Sequence, residues 1–340
     1  IGPSASVYYI DHQSMYLWLN APIRLFDLLS LPDRKIIEYA QRGWNLEEEL
    51  GAEESDAVLY KIPLGEGSPT ALKVSGWPLN QFSFHTSESA LHVLTLTDPR
   101  QETAHPVLWN IPRTSFDRRL NSLDESHRTV LPALTGQMTT NRFVNEHLLY
   151  DDDRWADSSS EAHLMVKQLG SDRSPLRLSI SHEIDRIEPV ERNAVIIGSS
   201  ESGLGFTAVG LANEPWLGGT WYEPNAEEAD ERSHSFSYTS TSSSMLIGFP
   251  TITYPDGYRW NAPIGIDMRY FTLDDSLNWG QSGALKANPI EDDADGCLVS
   301  CEDWYGSARP LFLGGRVYAL LDYELISADL FGTEVIESTR

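Results

Sequence analysis

The sequence predicts an all-β fold, and three observations carry this prediction. Short runs rich in Val, Ile, Tyr, Phe and Thr recur along the 340 residues, whereas long helical periodicity is nearly absent. In one such run Val317, Ala319, Leu321, Tyr323 and Leu325 alternate, with polar or small residues at many of the positions between, as in a half-buried strand. Clusters of Gly, Pro, Asn, Asp and Ser separate the runs, which is typical of hairpin turns.

The strand-like runs group into units of four short strands that follow one another along the chain. These units are predicted at residues 58–97, 107–169, 176–211, 219–252, 258–285 and 304–330, and residues 7–11 and 15–20 add two strands of a further unit. Repeats of roughly 35 to 60 residues favour a β-propeller of about six to seven four-stranded blades, not all of them necessarily complete. A pair of β-sandwiches is the alternative, but it needs only about seven to nine strands per domain and a boundary between domains. Because the sequence offers no such boundary, we expect a single propeller domain over residues 1–340.

Two segments predict short helices inserted between strands. In residues 30–43, Ser30 is placed to cap a helix and Gly43 follows the last apolar residues. This helix lies in a helical or loop insertion predicted at residues 25–57. A weaker helical pattern covers residues 115–123.

The charge balance restricts the partners of the chain. Fifty acidic residues stand against 25 Lys and Arg, so the formal net charge is −25. Such a chain is repelled by nucleic-acid phosphates and by an anionic membrane surface. No apolar run approaches the roughly 20 residues that cross a bilayer, so no transmembrane segment is predicted. The first residue is Ile1 rather than Met, which indicates a processed or truncated product.

Five segments, in order along the chain, resemble one family of proteins. They begin with VSGWPLNQFSFHTSESALHVLTLTD at 74–98 and TNRFVNEHLLYDDD at 140–153, and continue at 184–211, 232–252 and 308–330. The chain resembles secreted or surface-anchored bacterial and archaeal proteins that end in a β-propeller distantly related to WD repeats. The resemblance implies a propeller outside the cytoplasm and brings no reaction with it.

This chain departs from that family at one element and at its beginning. The family usually has a Tyr-Leu-His-Pro-like element where this chain has Arg186, Ile187, Glu188 and Pro189. The family's acidic opening segment, with its own early blades, is missing before Ile1. We expect the ring to be closed by pairing of the two ends, with residues near Met15 beside residues near Tyr318, because open strand edges are normally hidden. The alternative is that the missing blades come from another chain or from a removed portion.

The most specific local motif is EDDADGCLVSCE at residues 291–302. Calcium loops place carboxylates at positions 1, 3 and 5, Gly at 6, an apolar residue at 8 and a bidentate Glu at 12, because Ca²⁺ takes six to eight oxygens around a tight bend. Those positions here hold Glu291, Asp293, Asp295, Gly296, Leu298 and Glu302. The first ligand is Glu instead of Asp, and Pro289 disfavours an entering helix. The motif therefore leaves two interpretations, a Ca²⁺ site or a solvated acidic loop.

Cys297 and Cys301 lie within this motif, and the chain contains no other cysteine. Two thiols are too few for an all-cysteine zinc site or a disulfide scaffold. A tight intervening turn would bring their Cα atoms within the roughly 4.4 to 6.8 Å that a disulfide requires. A local disulfide in an exported protein and two unpaired thiols are both compatible with the sequence.

Catalytic motifs are weak. His182 lies beside Ser181, but neighbours in a strand point to opposite faces, so these two side chains should not meet, and His182 is interpreted as an exposed strand histidine. A Ser-His-Asp set assembled from distant blades stays open, since such triads are spatial. Two acidic runs are expected to be hydrated turns: Asp151, Asp152 and Asp153, and Glu227, Glu228, Asp230 and Glu231.

Aromatic residues beside turns are candidates for a contact surface. Trp216, Trp221 and Tyr222 flank a predicted turn at Gly218 and Gly219, and Trp304 and Tyr305 precede the last strands. Aromatic side chains beside turns can contact carbohydrate or protein, or pack between blades, which is commoner in propellers.

We therefore expect a non-enzymatic module outside the cytoplasm, secreted or anchored at the cell surface. It presents loops to a protein or polysaccharide partner, either alone or as part of a larger assembly. The alternative is a hydrolase with its site at the mouth of the central channel. No catalytic residue and no cofactor other than Ca²⁺ is predicted.

Removal of Ca²⁺ tests the motif at 291–302. Without the ion its carboxylates repel one another, so a chelator should lower the melting temperature and added Ca²⁺ should restore it. The double variant Asp293→Ala, Asp295→Ala should abolish this response. Identical melting curves of the unmodified chain with and without chelator would leave the solvated-loop interpretation.

Overall fold

The computed structural model describes residues 6–20, 56–97, 104–116, 121–152, 162–230, 232–253, 266–286, 308–321, 324–331 and 334–339. These residues divide between two compact units, one within residues 1–156 and 165–176 and the other within 157–164 and 177–340. In the described residues, strands form six sheets that follow one another along the chain, and the only helical elements are four single 3-10 turns.

The first unit contains the first two sheets. Sheet 1 has the order β1-β2-β3-β4 with a short parallel strand, β8, at its edge. Its strands are β1 (Ser6–Ile10), β2 (Ser14–Asn20), β3 (Asp56–Pro63), β4 (Thr70–Ser75) and β8 (Asn121–Ser122). Sheet 2 is the antiparallel series β5 (Phe84–Thr86), β6 (Ala90–Leu96), β7 (Pro106–Pro112) and β9 (Arg128–Val130).

Sheet 3 begins in the first unit, and the division between units passes through its last two strands. It has the order β10-β11-β12-β13. The strands are β10 (Asn141–Val144), β11 (His147–Asp151), β12 (Ala162–Gln168) and β13 (Leu176–Ile180).

The second unit contains the last three sheets. Sheet 4 comprises β14 (Arg186–Val190), β15 (Asn193–Ser200), β16 (Gly203–Gly210) and β17 (Trp216–Glu223). In sheet 5, β18 (Ala226–Glu228) and β19 (Ser237–Ser240) both pair with β20 (Ser244–Thr253), followed by β21 (Ile266–Asp274) and β22 (Trp279–Lys286). Sheet 6 comprises β23 (Arg309–Leu313), β24 (Arg316–Leu321), β25 (Glu324–Phe331) and β26 (Glu334–Thr339).

Within each unit, apolar side chains from neighbouring sheets form the core. Strand β21 contributes apolar side chains to both of its neighbouring sheets. Met268 and Tyr270 pack with residues of sheet 6, whereas Phe271 and Leu273 pack with Phe206 and other residues of sheet 4. Each such fully buried side chain contributes about 1.5 to 3 kcal/mol, so burial on both faces holds sheet 5 between its neighbours.

The predicted all-β class with blade-like, four-stranded antiparallel sheets is confirmed. The predicted unit boundaries are displaced, because the unit at 58–97 joins β3 and β4 of sheet 1 to β5 and β6 of sheet 2. The chain leaves sheet 1 at Gly76, which has φ +92°, and Trp77 then bridges to Leu96 of sheet 2. A turn between sheets and a turn within a hairpin use the same residue types, so the sequence pattern does not separate them. The prediction of a single domain over 1–340 stays a prediction.

Two further predictions are wrong. Met15 pairs with Ile10 and Ile62, and Tyr318 pairs with Leu311 and Ser327, so both edges of β2 and of β24 are occupied within their own sheets and the two strands do not pair with each other.

In place of a helix at 115–123, the described residues contain the 3-10 turn Arg113–Ser115 and strand β8. The apolar spacing there has another cause, since Phe116 and Leu123 pack against the core of sheets 1 and 2.

The insertion predicted at 25–57 lies outside the described residues, except that residues 56 and 57 begin β3. The helix predicted at 30–43 also lies outside them.

Candidate functional site

An exposed indole at the start of β17 is the candidate contact site. Trp216 is the register partner of Gly210 on β16. A Cβ atom at Gly210 would lie 2.3 to 2.4 Å from three atoms of the Trp216 ring, so the ring rests directly on the glycine backbone. Trp216 nevertheless remains 46% exposed, and its neighbour Leu217 is also exposed. The strand therefore presents a fixed aromatic surface to solvent.

The middle of β17 is anchored to sheet 5. Gly218 and Gly219 are strand residues, which corrects the predicted turn. The Gly219 N–H donates to the Leu277 carbonyl at 2.8 Å, and Trp279 Nε1 donates to the Gly219 carbonyl at 2.9 Å. Leu277 adopts φ +61° in the β21–β22 turn and is almost fully buried. These contacts hold β17 in place and occupy the outer backbone edge of the strand at its midpoint.

The other aromatic residues of β17 are structural. Trp221 packs against Phe271 in the core between sheets 4 and 5, with ring centroids 6.2 Å apart. The Tyr222 hydroxyl donates to Ser181, whose Oγ lies at 2.6 Å. Of the predicted contact residues in the described part of the chain, Trp216 is thus the one left with a large exposed surface, and Trp304 and Tyr305 lie outside that part.

Charged side chains continue the interface between sheets 4 and 5 beyond its apolar part. Arg269 Nη1 lies 3.2 Å from Glu223 Oε1, and Arg269 Nη2 lies 3.0 Å from Asp267 Oδ2. Lys286 approaches the same Asp267 oxygen at 3.8 Å. Burial raises the pKa of Asp267, and the cations of Arg269 and Lys286 act in the opposite direction. We call these residues, together with the Arg186 cluster below, the charged seam.

Arg186 at the start of β14 forms the second cluster of the charged seam. This residue is 7% exposed. Its Nε donates to Glu188 at 2.6 Å, its Nη1 donates to Glu228, to the Asp230 carbonyl at 3.1 Å and to Ser235 Oγ at 2.8 Å, and its Nη2 donates to the Arg232 carbonyl at 2.6 Å. Burial acts to lower the pKa of Arg186, but the carboxylates of Glu188 and Glu228 outweigh it and raise that pKa. One guanidinium thereby ties the connection at 228–235 to sheet 4.

The prediction that residues 227–231 form a hydrated turn is wrong for Glu228 and Asp230, which belong to this cluster. Asp230 is buried and Glu228 nearly so. Arg186 pairs with the Glu228 carboxylate, whereas Asp230 Oδ1 accepts a hydrogen bond from the Arg232 amide at 2.9 Å, and these partners replace lost water. Glu231 lies outside the described residues. The sequence signal for this site was the departure from the family pattern at 186–189, since Arg186 and Glu188 are the two residues that form the buried ion pair.

His182 is buried, which corrects its interpretation as an exposed strand histidine. It is 3% exposed and lies in the connection before β14. Its Nε2 lies 2.8 Å from Thr207 Oγ1 and its Nδ1 lies 2.7 Å from the Glu183 carbonyl. Burial lowers the pKa of His182, although the Glu183 carbonyl acts to raise it. Both nitrogens of His182 thus have partners other than Ser181, and Ser181 Oγ lies 2.6 Å from the Tyr222 hydroxyl, so Ser181 and His182 do not form a nucleophile and base pair.

The prediction of a hydrated turn at 151–153 is also wrong for its first two residues. Asp151 accepts hydrogen bonds from the backbone amides of Thr139 and Thr140, at 2.9 and 2.7 Å, and Asp152 accepts from the Thr135 amide at 2.6 Å. Both carboxyl groups are buried and organise the loop before β10. Burial raises the pKa of Asp151 to about 7, against the lowering by these hydrogen bonds. Asp153 lies outside the described residues.

The predicted calcium ligands Glu291, Asp293, Asp295 and Glu302, and the predicted disulfide partners Cys297 and Cys301, lie outside the described residues. Among the residues that the structure does describe, no group of three or more His, Cys, Asp or Glu side chains is placed to hold a metal ion. In the same described ranges, no helix is long and apolar enough to cross a membrane.

Known proteins match the chain in structure but not in sequence. No family model matches it, and no curated protein does. One similar structure is the beta-propeller domain of the Trilobed protease from Pyrococcus furiosus, described as having an open velcro topology. The alignment covers 100% of this chain and 85% of that domain, with 7% identity and a TM-score of 0.41. The polysaccharide lyase Uly1 covers 99% of this chain and 81% of its own, with 8% identity and a TM-score of 0.41.

An acylaminoacyl peptidase, in complex with Z-Gly-Gly-Phe-chloromethyl ketone, covers 98% of this chain with 10% identity and a TM-score of 0.40. This chain spans 46% of the length of that peptidase. At these identities and TM-scores, the similarity to the three proteins supports no inference about the activity of this chain.

A substitution at Gly218 tests the anchor of β17. In Gly218→Ala the new Cβ would lie 2.5 Å from Leu277 Cβ and 3.0 Å from the Leu277 carbonyl, so the variant should lose about 1 to 3 kcal/mol of unfolding free energy. Gly65→Ala is the control, because nothing lies within 4 Å of a Cβ there. Urea unfolding that leaves both variants equally stable would contradict the anchor.

A substitution at Arg186 tests the charged seam. Arg186→Met leaves the buried carboxylate of Glu188 without its cation and should cost about 3 to 5 kcal/mol in urea unfolding. The control is Arg316→Met, which removes an exposed ion pair with Asp329 and should cost at most about 1 kcal/mol. Similar losses in the two variants would mean that the seam contributes no more than a surface pair.

Proposed function

We propose that this chain is a non-enzymatic interaction or structural module that binds a protein or polysaccharide partner. The observation that carries the proposal is the Trp216 ring, which rests on Gly210 and is 46% exposed. A large aromatic side chain with few rotatable bonds binds a partner at low cost in conformational entropy. Leu217 extends the apolar surface beside it.

The rigidity of β17 supports this role. A binding surface loses affinity when side chains and loops must be ordered on association. Here the strand is already held by the two hydrogen bonds at Gly219 and by Leu277 packed on Gly218. A partner would therefore meet a surface whose geometry is set in advance.

Charge narrows the class of partner. With a net charge of −25, the chain disfavours polyanions, so an uncharged polysaccharide or a basic protein segment is the partner we infer. A cationic side chain can also stack on an indole, which suits the same site. The resemblance to secreted and surface-anchored proteins supports a location outside the cytoplasm, where Ca²⁺ at 291–302 would be a further proposed ligand.

Binding experiments with Trp216 variants test the proposal. The full chain is titrated with a set of neutral polysaccharides and with arginine-rich peptides, and binding is followed by calorimetry. For the ligand that binds, Trp216→Ala should weaken the affinity by about tenfold or more, as loss of a central aromatic contact does. Tyr8→Ala, which removes an aromatic side chain 55% exposed in the first unit, should leave the affinity unchanged.

Two results would contradict this function. Equal affinity of the Trp216→Ala and unmodified chains would remove β17 as the binding surface. Labelling by a serine-hydrolase probe that disappears with one Ser→Ala substitution would establish the hydrolase alternative instead.

A further inference from the structure

Two histidines and a phenylalanine form a continuous ring stack between sheets 2 and 3 in the first unit. His85 on β5 is the register partner of His92 on β6, and their ring centroids lie 5.9 Å apart with an interplanar angle of 28°. The opposite face of the stack is Phe143 of β10, whose ring lies 5.5 Å from His85 at 17°. We call these three residues the histidine stack.

We propose that the histidine stack is a pH-sensitive contact, which holds β5 against β6 and His85 against Phe143 when both imidazoles are neutral and opens when they are protonated. His92 is only 9% exposed, and its Nε2 lies 3.3 Å from Ser87 Oγ. A second positive charge on the neighbouring ring would lie at stacking distance with little water to screen it. The same rings that pack well when neutral would then repel each other.

The charged groups around the stack offset the effect of burial on the histidine pKa values only in part. Glu146 in the turn between β10 and β11 acts to raise the pKa of His85, but burial dominates and lowers that pKa. Arg113, which follows β7, donates to the Ser87 carbonyl at 3.0 Å and adds positive charge on that side. Arg142 of β10 lies over the Phe82 ring at 4.0 Å, and Glu88 in the β5–β6 turn is exposed. His147 follows Glu146 at the start of β11. Neighbouring strand residues point to opposite faces, so His147 points away from the face on which Leu148 packs in the core with sheet 2.

Burial, followed by the charge of His85, lowers the pKa of His92 from 6.5 to about 4 in the closed contact. In an open form the imidazole regains water and its ordinary pKa, so the open form binds the proton first as the pH falls. The closed contact is therefore stable above about pH 6.5 and is progressively lost toward pH 4. For His92 alone, the ratio of open to closed forms should rise about 20-fold between pH 7 and pH 5.

Hydrogen exchange of the full chain tests this inference. After correction for intrinsic exchange rates, amides of β5, β6 and β10 should exchange about 20-fold faster at pH 5 than at pH 7, whereas those of β15 and β16 should not. The double variant His85→Phe, His92→Phe keeps the stacked rings without the titrating nitrogens and should lose this dependence. His12→Gln, at an exposed histidine, should retain it.

An unchanged pH dependence in the double variant would overturn the proposal. If that variant does not fold, the NMR titration of the His92 imidazole in the unmodified chain decides. A midpoint well below pH 6, accompanied by the faster exchange, supports the pH-sensitive contact, and a midpoint near 6.5 with unchanged exchange refutes it.

Discussion

The buried guanidinium of Arg186 is the interaction on which the packing of the second unit depends. Its donors face the carboxylates of Glu188 and Glu228 and the backbone carbonyls of residues 230 and 232. A charge taken out of water is tolerated only when partners replace the lost solvent, so these groups fix one another. This residue thereby joins the connection between sheets 4 and 5 to β14, and its Cζ lies 5.6 Å from the centre of the Phe249 ring in the apolar core.

The interface between sheets 4 and 5 therefore combines two kinds of contact along one strand. On the same face of β21, Leu273 and Phe271 pack with the rings of Phe206 and Phe249, whereas Arg269 forms an ion pair with Glu223 of sheet 4. The apolar end supplies the burial energy. The charged end restricts how the sheets can be aligned, because a displaced carboxylate would lose its cation.

The proposed contact surface at Trp216 and the histidine stack are both formed by packed rings, but they differ in what the rings can do. Trp216 projects from a strand that is anchored by Gly219 and Leu277, so its ring is rigid and exposed at once. The rings of the histidine stack pack against one another, but the two imidazoles can gain protons. A fixed surface suits recognition of a partner, and a titratable contact in the first unit suits a response to the surroundings.

The sequence by itself determined the all-β class, because alternation with a period of two, as in β24, records which side chains face a core. It also predicted that Ser181 and His182 do not pair, although these residues lie in a connection and not in the strand on which that prediction rested. It did not determine which hairpins share a sheet, since the turn at Gly76 resembles a hairpin turn. Nor did it predict the burial of His182, Asp151 or Glu228. Only the tertiary structure decided those environments, because a buried polar group depends on partners distant in sequence, as Glu228 depends on Arg186.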